Sequence, residues 1–406
     1  MNIYVKKNDL AFYGGKPYRK VPFQQWPLAG SEEKEMLTEV LDSGNWWRIS
    51  GTKVKEFEDK FAKLQSCKYC LGVTSGTHAL ELCLQALDLH PGDEVIVPAF
   101  TFISTVTAVI NCGLTPVLSD VDAETYCMTP QSFERVITSK TKAVIPVHMA
   151  GNACDMEGIC NIAHKFGIYV VEDAAHAHGG EWNNKRLGSY GDFGIFSFQN
   201  GKLMTCGEGG CIVTNSEELY SRIYLLHGVG RPENDKGYHH LVLGSTCRMS
   251  EFHAAVLLPQ INRINGMNRK REYNAAYLDS LLEKVNGIIP QKRTSRTNIF
   301  THYMYMFYYE CDKFGGTSRD EFVDILNKEG IPAFIAFPVV STVDFFVNQN
   351  FGDRIKNYDY AKENDLKCSK MISNNVVWLH HRVLNGNTRD LDDVAGAIQK
   401  IQSCLS

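Results

Sequence analysis

The 406-residue chain has no apolar run near the ~20 residues that a bilayer-spanning helix needs, so no membrane partner is expected. It also lacks a charge excess of either sign. Lys and Arg number 42 against 46 Asp and Glu, a formal net charge of −4, and the basic surplus of a nucleic-acid-binding protein is missing. The first ten residues are polar and lysine-bearing without an apolar centre, so a signal peptide is not expected and the expected compartment is the cytoplasm. Thirteen cysteines, an odd number, are scattered through apolar segments, as at Cys83, Cys112 and Cys211, and do not frame a disulfide scaffold. Cys67 and Cys70 form a CxxC with no second pair nearby, and His239-His240 has no flanking ligand array, so no metal site is expected. The thiols read as reduced and buried. Internal repeats and low-complexity tracts are absent too.

What the chain does have is one unusual stretch, Phe196-Ser-Phe-Gln-Asn-Gly-Lys-Leu-Met-Thr-Cys-Gly-Glu-Gly-Gly210. An apolar run delivers a lone lysine, Lys202, into a glycine-rich turn, and Cys211-Ile-Val-Thr214 then reads as a strand. A lysine held between two strands is partly desolvated, which lowers its pKa and frees the amine as a nucleophile towards carbonyls. Ser197 places a hydroxyl on the same loop, within reach of a phosphate.

Upstream, Cys70-Leu-Gly-Val-Thr74 predicts a buried strand, followed by Ser75-Gly76-Thr77 and a helix from His78 to Leu87. A strand, a glycine turn with two hydroxyls and a helix N-terminus make an anion site, because free N–H groups and the macrodipole both attract negative charge. Glu94-Val-Ile-Val97, Val117-Leu118, Ala143-Val-Ile-Pro-Val147 and Tyr169-Val-Val-Glu-Asp173 continue as strands alternating with helices at 103–112 and 155–166. That rhythm predicts a mainly parallel sheet covered on both faces. Asp173 falls at a strand's carboxyl end, where α/β sheets place their ligands. The organisation expected is an extended arm over 1–30, a large domain over 31–265 and a smaller α/β domain over 266–406. Ser31 is the expected N-cap of the first helix, residues 228–244 a long loop, and 250–264 and 267–285 two successive helices. Beyond these, 303–309 is expected as a strand, 317–330 as a helix and 331–340 as a further strand or pocket loop.

In combination these segments resemble the DegT/StrS-type sugar aminotransferases, enzymes that use pyridoxal phosphate, over almost the whole chain. The resemblance implies a fold type I PLP-dependent transferase: a large domain with a mostly parallel seven-stranded sheet between helices, plus a smaller α/β C-terminal domain. It implies that Lys202 is the Schiff-base lysine, Asp173 the acid facing the pyridine nitrogen, and His176 the residue beside the ring hydroxyl. Phe102 matches the aromatic stacked on the ring, Gly76 and Thr77 the phosphate loop, and Ser197 a second phosphate ligand. Before the Arg-Met pair the family usually carries an asparagine that reaches a neighbouring subunit's cofactor phosphate; Thr246 stands there in this chain. The resemblance also implies a homodimer with shared active sites, working on a keto substrate and an amino donor. It places Trp46, Trp47, Arg48, Arg231, Phe334, Phe337 and His380 near a substrate pocket, with flat aromatic walls and arginines for a carboxylate or phosphate. The His-Tyr-x-Pro pattern common among the nucleotide-sugar enzymes is missing from 331–340, which argues for a small ring ketone. Two activities stay open. One is transfer of an amino group from glutamine or glutamate to a keto sugar or keto cyclitol; the other is an aromatising dehydration of an aminoshikimate-type substrate.

Overall fold

The computed structural model describes residues 7–355 and 365–406. The N-terminal part alternates strands and helices, giving β1 (Tyr69–Val73), β2 (Glu94–Pro98), β3 (Thr115–Ser119), β4 (Thr141–Val144) and β5 (Tyr169–Asp173). Two short strands, β6 (Glu181–Trp182) and β7 (Lys185–Arg186), precede β8 (Phe193–Ser197) and β9 (Gly210–Thr214). Seven of them form one sheet in the order β1-β9-β8-β5-β4-β2-β3. Pairing is parallel from β3 to β8, and β9 runs antiparallel to both β8 and β1. Both faces are covered. Successive residues of β2 enter opposite cores, Ile96 one and Val95 with Val97 the other, so the near-continuous apolar runs read from the sequence are those of a doubly covered sheet.

The long helix is the main departure from expectation. One helix, Glu251–Leu282, runs where two were expected, through Pro259 and Gly266. Pro259 and its neighbours Leu257 and Leu258 are buried, and the side-chain amide of Gln260 donates to the Val256 carbonyl at 2.8 Å. Packing of the helix against Ser31–Ser43 and Lys53–Leu64 overrides the local cost of the two helix-breaking residues, about 1 kcal/mol for glycine and about 3 for proline. A smaller correction concerns the first helix. It starts at Ser31, but Gly30 is the N-cap, and Glu33 supplies the carboxylate that accepts the Gly30 N–H at 2.8 Å.

Beyond the long helix lie β10 (Ile288–Pro290), β11 (Thr297–Ile299), β12 (Met304–Tyr309), β13 (Ala333–Ile335) and β14 (Val376–His380). Four of these make an antiparallel sheet in the order β10-β12-β14-β13, while β11 pairs with β6. The arm is fastened to this C-terminal part. Leu10 and Phe23 are buried in its core, Arg19 bridges Asp390 and Asp393 at 2.7 Å each, and the buried Glu329 accepts the N–H groups of Ala11 and Tyr18. Residues 228–244 carry no helix or named strand, as expected. All thirteen cysteines are free, and among the described residues no group of His, Cys, Asp or Glu could hold a metal ion.

Candidate active site

A cavity of about 390 Å³ opens at the carboxyl ends of the parallel strands and collects Gly76, Thr77, Phe102, Asp173, His176, Ser197, Lys202 and Phe337. Its anion end is built by β1 and the helix Gly76–Ala86. Ser75 caps that helix by accepting the His78 N–H at 3.1 Å, so the N–H groups of the first turn face the cavity with the positive end of the macrodipole behind them. A Cβ on Gly76 would stand 2.9 Å from Ser197 Cβ, so only glycine lets the helix start and the Ser197 hydroxyl approach a common ligand. Thr77 adds a hydroxyl, hydrogen-bonded to Ser104 Oγ at 2.9 Å.

Lys202 hangs from a tight turn between β8 and β9. Its own N–H donates to the Gln199 carbonyl at 2.8 Å, and the turn is braced from outside by Gln260, which exchanges two hydrogen bonds with the Thr205 backbone at 2.9 and 2.7 Å. Burial pushes the Lys202 amine down to about 8, with Asp173 opposing that shift. Asp173 is itself buried, which raises its carboxyl above the ordinary aspartate value. The Ala175 N–H at 3.2 Å, the Thr105 hydroxyl at 2.9 Å and Lys202 pull the other way. Its strand is pinned by Glu172, which accepts the N–H groups of Gly188, Tyr190 and Gly191 and meets His148 Nε2 at 3.0 Å. His176 is buried and held neutral, and its Nδ1 has no partner among the described residues, an unmet polar atom beside the cavity. Phe102 is half exposed although it is a large aromatic, with its ring 5.9 Å from that of Phe337.

Not every expected residue is here. Trp46, Trp47, Arg48, Arg231 and Thr246 do not line this cavity, and neither does His380. Arg48 is no free substrate cation: it is buried against Glu58 in a two-pronged contact. Arg231 is engaged by Asp235 at 3.1 Å. Trp46 and Trp47 are about half exposed in their loop, and Thr246 is exposed in a bridge to Gly228. His380 accepts the Arg382 N–H and is pushed down to about 4 by burial. Phe334 is stacked on Trp378 at 4.4 Å, and it is Trp378 that reaches the cavity.

Tyr303 is the residue that sequence reasoning missed as a site group. Its ring stacks on His176 at 4.3 Å, and the Lys202 amine sits 4.5 Å from its centre. The segment 301–303 is clasped to His176, because the Thr301 hydroxyl donates to the His176 carbonyl at 2.7 Å. The ring therefore favours the protonated lysine through a cation–π contact of about 0.5–2 kcal/mol, which is roughly a 2- to 30-fold bias in its acid–base equilibrium. Tyr303→Leu should release neutral amine and quicken cofactor capture by Lys202 at neutral pH within that range, and Tyr303→Phe should return it towards the wild-type rate. Equal rates for the Phe and Leu variants would remove Tyr303 from this role.

A lysine with a lowered pKa, an acid beside it and a phosphate cradle a few residues away define a class of protein, one that holds an aldehyde-bearing phosphate cofactor covalently. The unmet His176 Nδ1, the space that only Gly76 allows and the half-exposed Phe102 ring all fit pyridoxal phosphate. The comparisons agree. Residues 27–399 match the DegT/DnrJ/EryC1/StrS aminotransferase family, and the chain belongs to it. Aminotransferases of that family are pyridoxal phosphate enzymes. The chain is 40% identical to 3-amino-5-hydroxybenzoate synthase of Amycolatopsis mediterranei over 94% of its own length and 97% of that protein's. It is 32% identical to L-glutamine:2-deoxy-scyllo-inosose aminotransferase of Streptoalloteichus tenebrarius, covering 97% of each. The crystal structure of 3-amino-5-hydroxybenzoic acid synthase superposes with a TM-score of 0.88 at 39% identity, over 94% of this chain and 99% of that one. The protein is an enzyme of the aminotransferase class.

Proposed function

We propose that this aminotransferase holds pyridoxal phosphate in the Lys202 cavity and moves the amino group of glutamine or glutamate onto a neutral ring ketone. The acceptor is a keto cyclitol or keto sugar in the making of an amino sugar or a secondary metabolite such as an antibiotic. The bound cofactor supplies an electron sink through which nitrogen leaves one substrate and enters the next. Lys202 would hold the cofactor through its carbonyl carbon, and its free amine would take and return the substrate Cα proton. Asp173 would offer its carboxylate to the pyridine nitrogen and keep a proton there, a positive neighbour that would offset the burial raising its pKa. The helix start at Gly76, with Thr77 and Ser197, holds the phosphate, while Phe102 covers the ring and His176 meets its hydroxyl.

One observation carries the choice of acceptor. Among the described residues lining the cavity, Lys202 is the one cation, against the carboxylates of Asp173 and Glu208. Hydroxyls of a neutral ring can be met here by Tyr303, Gln199 and Ser197. The glutamine-dependent relative named for 2-deoxy-scyllo-inosose supports the same class. The likeness to 3-amino-5-hydroxybenzoate synthase supports a second reading, aromatising dehydration of an aminoshikimate-type acid. Steady-state assays with a keto cyclitol and with a carboxylated ring ketone separate the two. We expect kcat/KM to favour the neutral ketone by about tenfold or more, some 1.4 kcal/mol of transition-state binding, and a preference for the acid would overturn the reading.

The working unit we infer is a cytoplasmic homodimer. Trp46, Trp47, Ile49, Leu241 and Leu243 expose large apolar groups on two loops, a pattern that suits burial against a second copy. The domain boundary near 265 we retain as a proposal, crossed by the helix Glu251–Leu282.

A further inference from the structure

We propose that a chamber on the C-terminal half of the long helix, separate from the Lys202 site, binds the ammonium group of a small amino compound, with Asp279 as its anchor. The chamber holds about 310 Å³ between the helix Glu251–Leu282 and the strands β10 and β12, and its lining includes Glu272, Asp279, Gln291, Arg293, Phe300 and His302. A more open groove of about 830 Å³ adjoins it, sharing Asp279, Gln291 and Arg293 and adding Glu124, Glu283 and Lys292. None of these residues lines the Lys202 cavity. Four carboxylates thus face two cations, and both cations are already answered. Arg293 has Glu272 at 2.7 Å and the Thr297 carbonyl at 3.3 Å, and Lys292 has Glu124 at 2.7 Å.

What remains is an excess of acceptors in a partly desolvated place. Asp279 forms no ion pair with any described residue, and its one side-chain hydrogen bond comes from the Tyr305 hydroxyl at 2.6 Å. Burial raises its carboxyl above the ordinary aspartate value; the Tyr305 hydrogen bond opposes that shift, Glu283 adds to it and Arg293 opposes it. Gln291 donates its amide N–H to the Thr125 carbonyl at 2.7 Å, which leaves its Oε1 buried with no partner among the described residues. His302 points to a ligand independently. Only 7% of it is exposed, its ring stacks on Phe300 at 3.8 Å, and its side chain makes no hydrogen bond to any described residue. Burial, with Arg293 and Arg271 nearby, holds it neutral, so one ring nitrogen is an unused acceptor. Acidic side chains alone would be an ordinary solvated face. A buried amide oxygen and a buried imidazole without partners are not, because an unmet polar group costs stability until something pairs with it. A primary ammonium brings three N–H donors, no acceptor and a positive charge for Asp279, which complements this wall. Phe300 and Tyr305 supply flat sides for a small body behind it.

Two sources of such an amine are distinguishable. One is the ring amine that the reaction makes, a source that rests on the function proposed above; the other is a linear polyamine unrelated to it. The experiment is isothermal titration of the pyridoxal-phosphate-loaded full chain with glucosamine, with putrescine, and with glucose as the uncharged counterpart. The cofactor's absorbance reports any entry of the amine at Lys202. We expect at least one amine to bind saturably without a change in that absorbance, and about tenfold or more weakly in Asp279→Asn, whose amide keeps the shape and loses the charge. Ala276→Lys is the second variant. Ala276 is exposed in the chamber wall, four residues after Glu272 and three before Asp279, so a lysine there places its own ammonium in the site and should exclude the ligand. Circular dichroism melts check the folding of both variants. Tighter glucosamine assigns the chamber to a ring amine, and tighter putrescine to a polyamine. Binding of neither amine, equal binding of glucose, or equal binding by wild type and a folded Asp279→Asn overturns the proposal. So does binding that occurs only with a change in the cofactor's absorbance, which belongs to Lys202. Failure of the wild type to aminate a keto cyclitol, with amine binding intact, would count against the function and leave the chamber standing.

Discussion

Lys202→Ala is expected to abolish amino-group transfer, by roughly 10⁴-fold or more, the upper end of what a proton-transferring group contributes. The same substitution should leave cofactor binding noncovalent, so that borohydride reduction no longer fixes the cofactor to the chain. Among the described residues no other lysine lines the cavity, so trapping at a different lysine would reject the assignment. The lowered pKa gives a second readout. With the amine titrating at about 8, its neutral fraction grows as pH rises and then levels off. Capture of pyridoxal phosphate by the apo-protein should therefore quicken about tenfold from pH 6 to pH 7 and flatten above about pH 8. An amine with an ordinary lysine pKa would keep accelerating past pH 9.

Asp173→Asn should preserve the fold and measurable cofactor binding yet cut turnover by roughly 10²-fold or more, on the scale of losing a single electrostatic group aimed at the reacting system. The amide keeps the shape and can still meet the Thr105 hydroxyl and the Ala175 N–H, the two hydrogen bonds that orient the carboxylate. What it loses is the negative charge beside the pyridine nitrogen. The contrast with Thr105→Val isolates that term, since removing the hydroxyl frees the carboxylate without neutralising it. A smaller loss is expected there. Near-normal turnover in Asp173→Asn would sink the role of the acid.

The residues that chemistry demands were legible wherever a local pattern carries them. Lys202 and Ser197 sit in one fifteen-residue stretch. Gly76 and Thr77 open a helix directly after a strand, and Asp173 ends an apolar run. The parallel sheet followed from the strand–helix rhythm for the same reason. Long-range partners were not legible. Glu58 neutralises Arg48 from the face of the next helix, and a sequence shows the arginine without its counter-ion. Tyr303 looked like one aromatic among many in a strand-like run, and its place beside Lys202 depends on Thr301 being tied to the His176 carbonyl across the fold. Gln260 lies inside the expected helix 250–264, but nothing local to it shows that its amide braces the Lys202 turn fifty-five residues upstream. The likeness to 3-amino-5-hydroxybenzoate synthase was visible in segments such as Gly44-Asn-Trp-Trp-Arg48 and Trp378-Leu-His-His-Arg382. That likeness did not reveal which of their side chains reach the cavity, and only Trp378 does so.

The most direct test of the account follows the nitrogen. The pyridoxal-phosphate-loaded enzyme is incubated with glutamine labelled with ¹⁵N at the α-amino group and with a keto cyclitol, and the products are weighed by mass spectrometry. The account predicts a cyclitol amine that carries the label, with the donor recovered as its keto acid and no label transfer in Lys202→Ala. An unlabelled ring product formed by loss of water, with the donor unchanged, would contradict it.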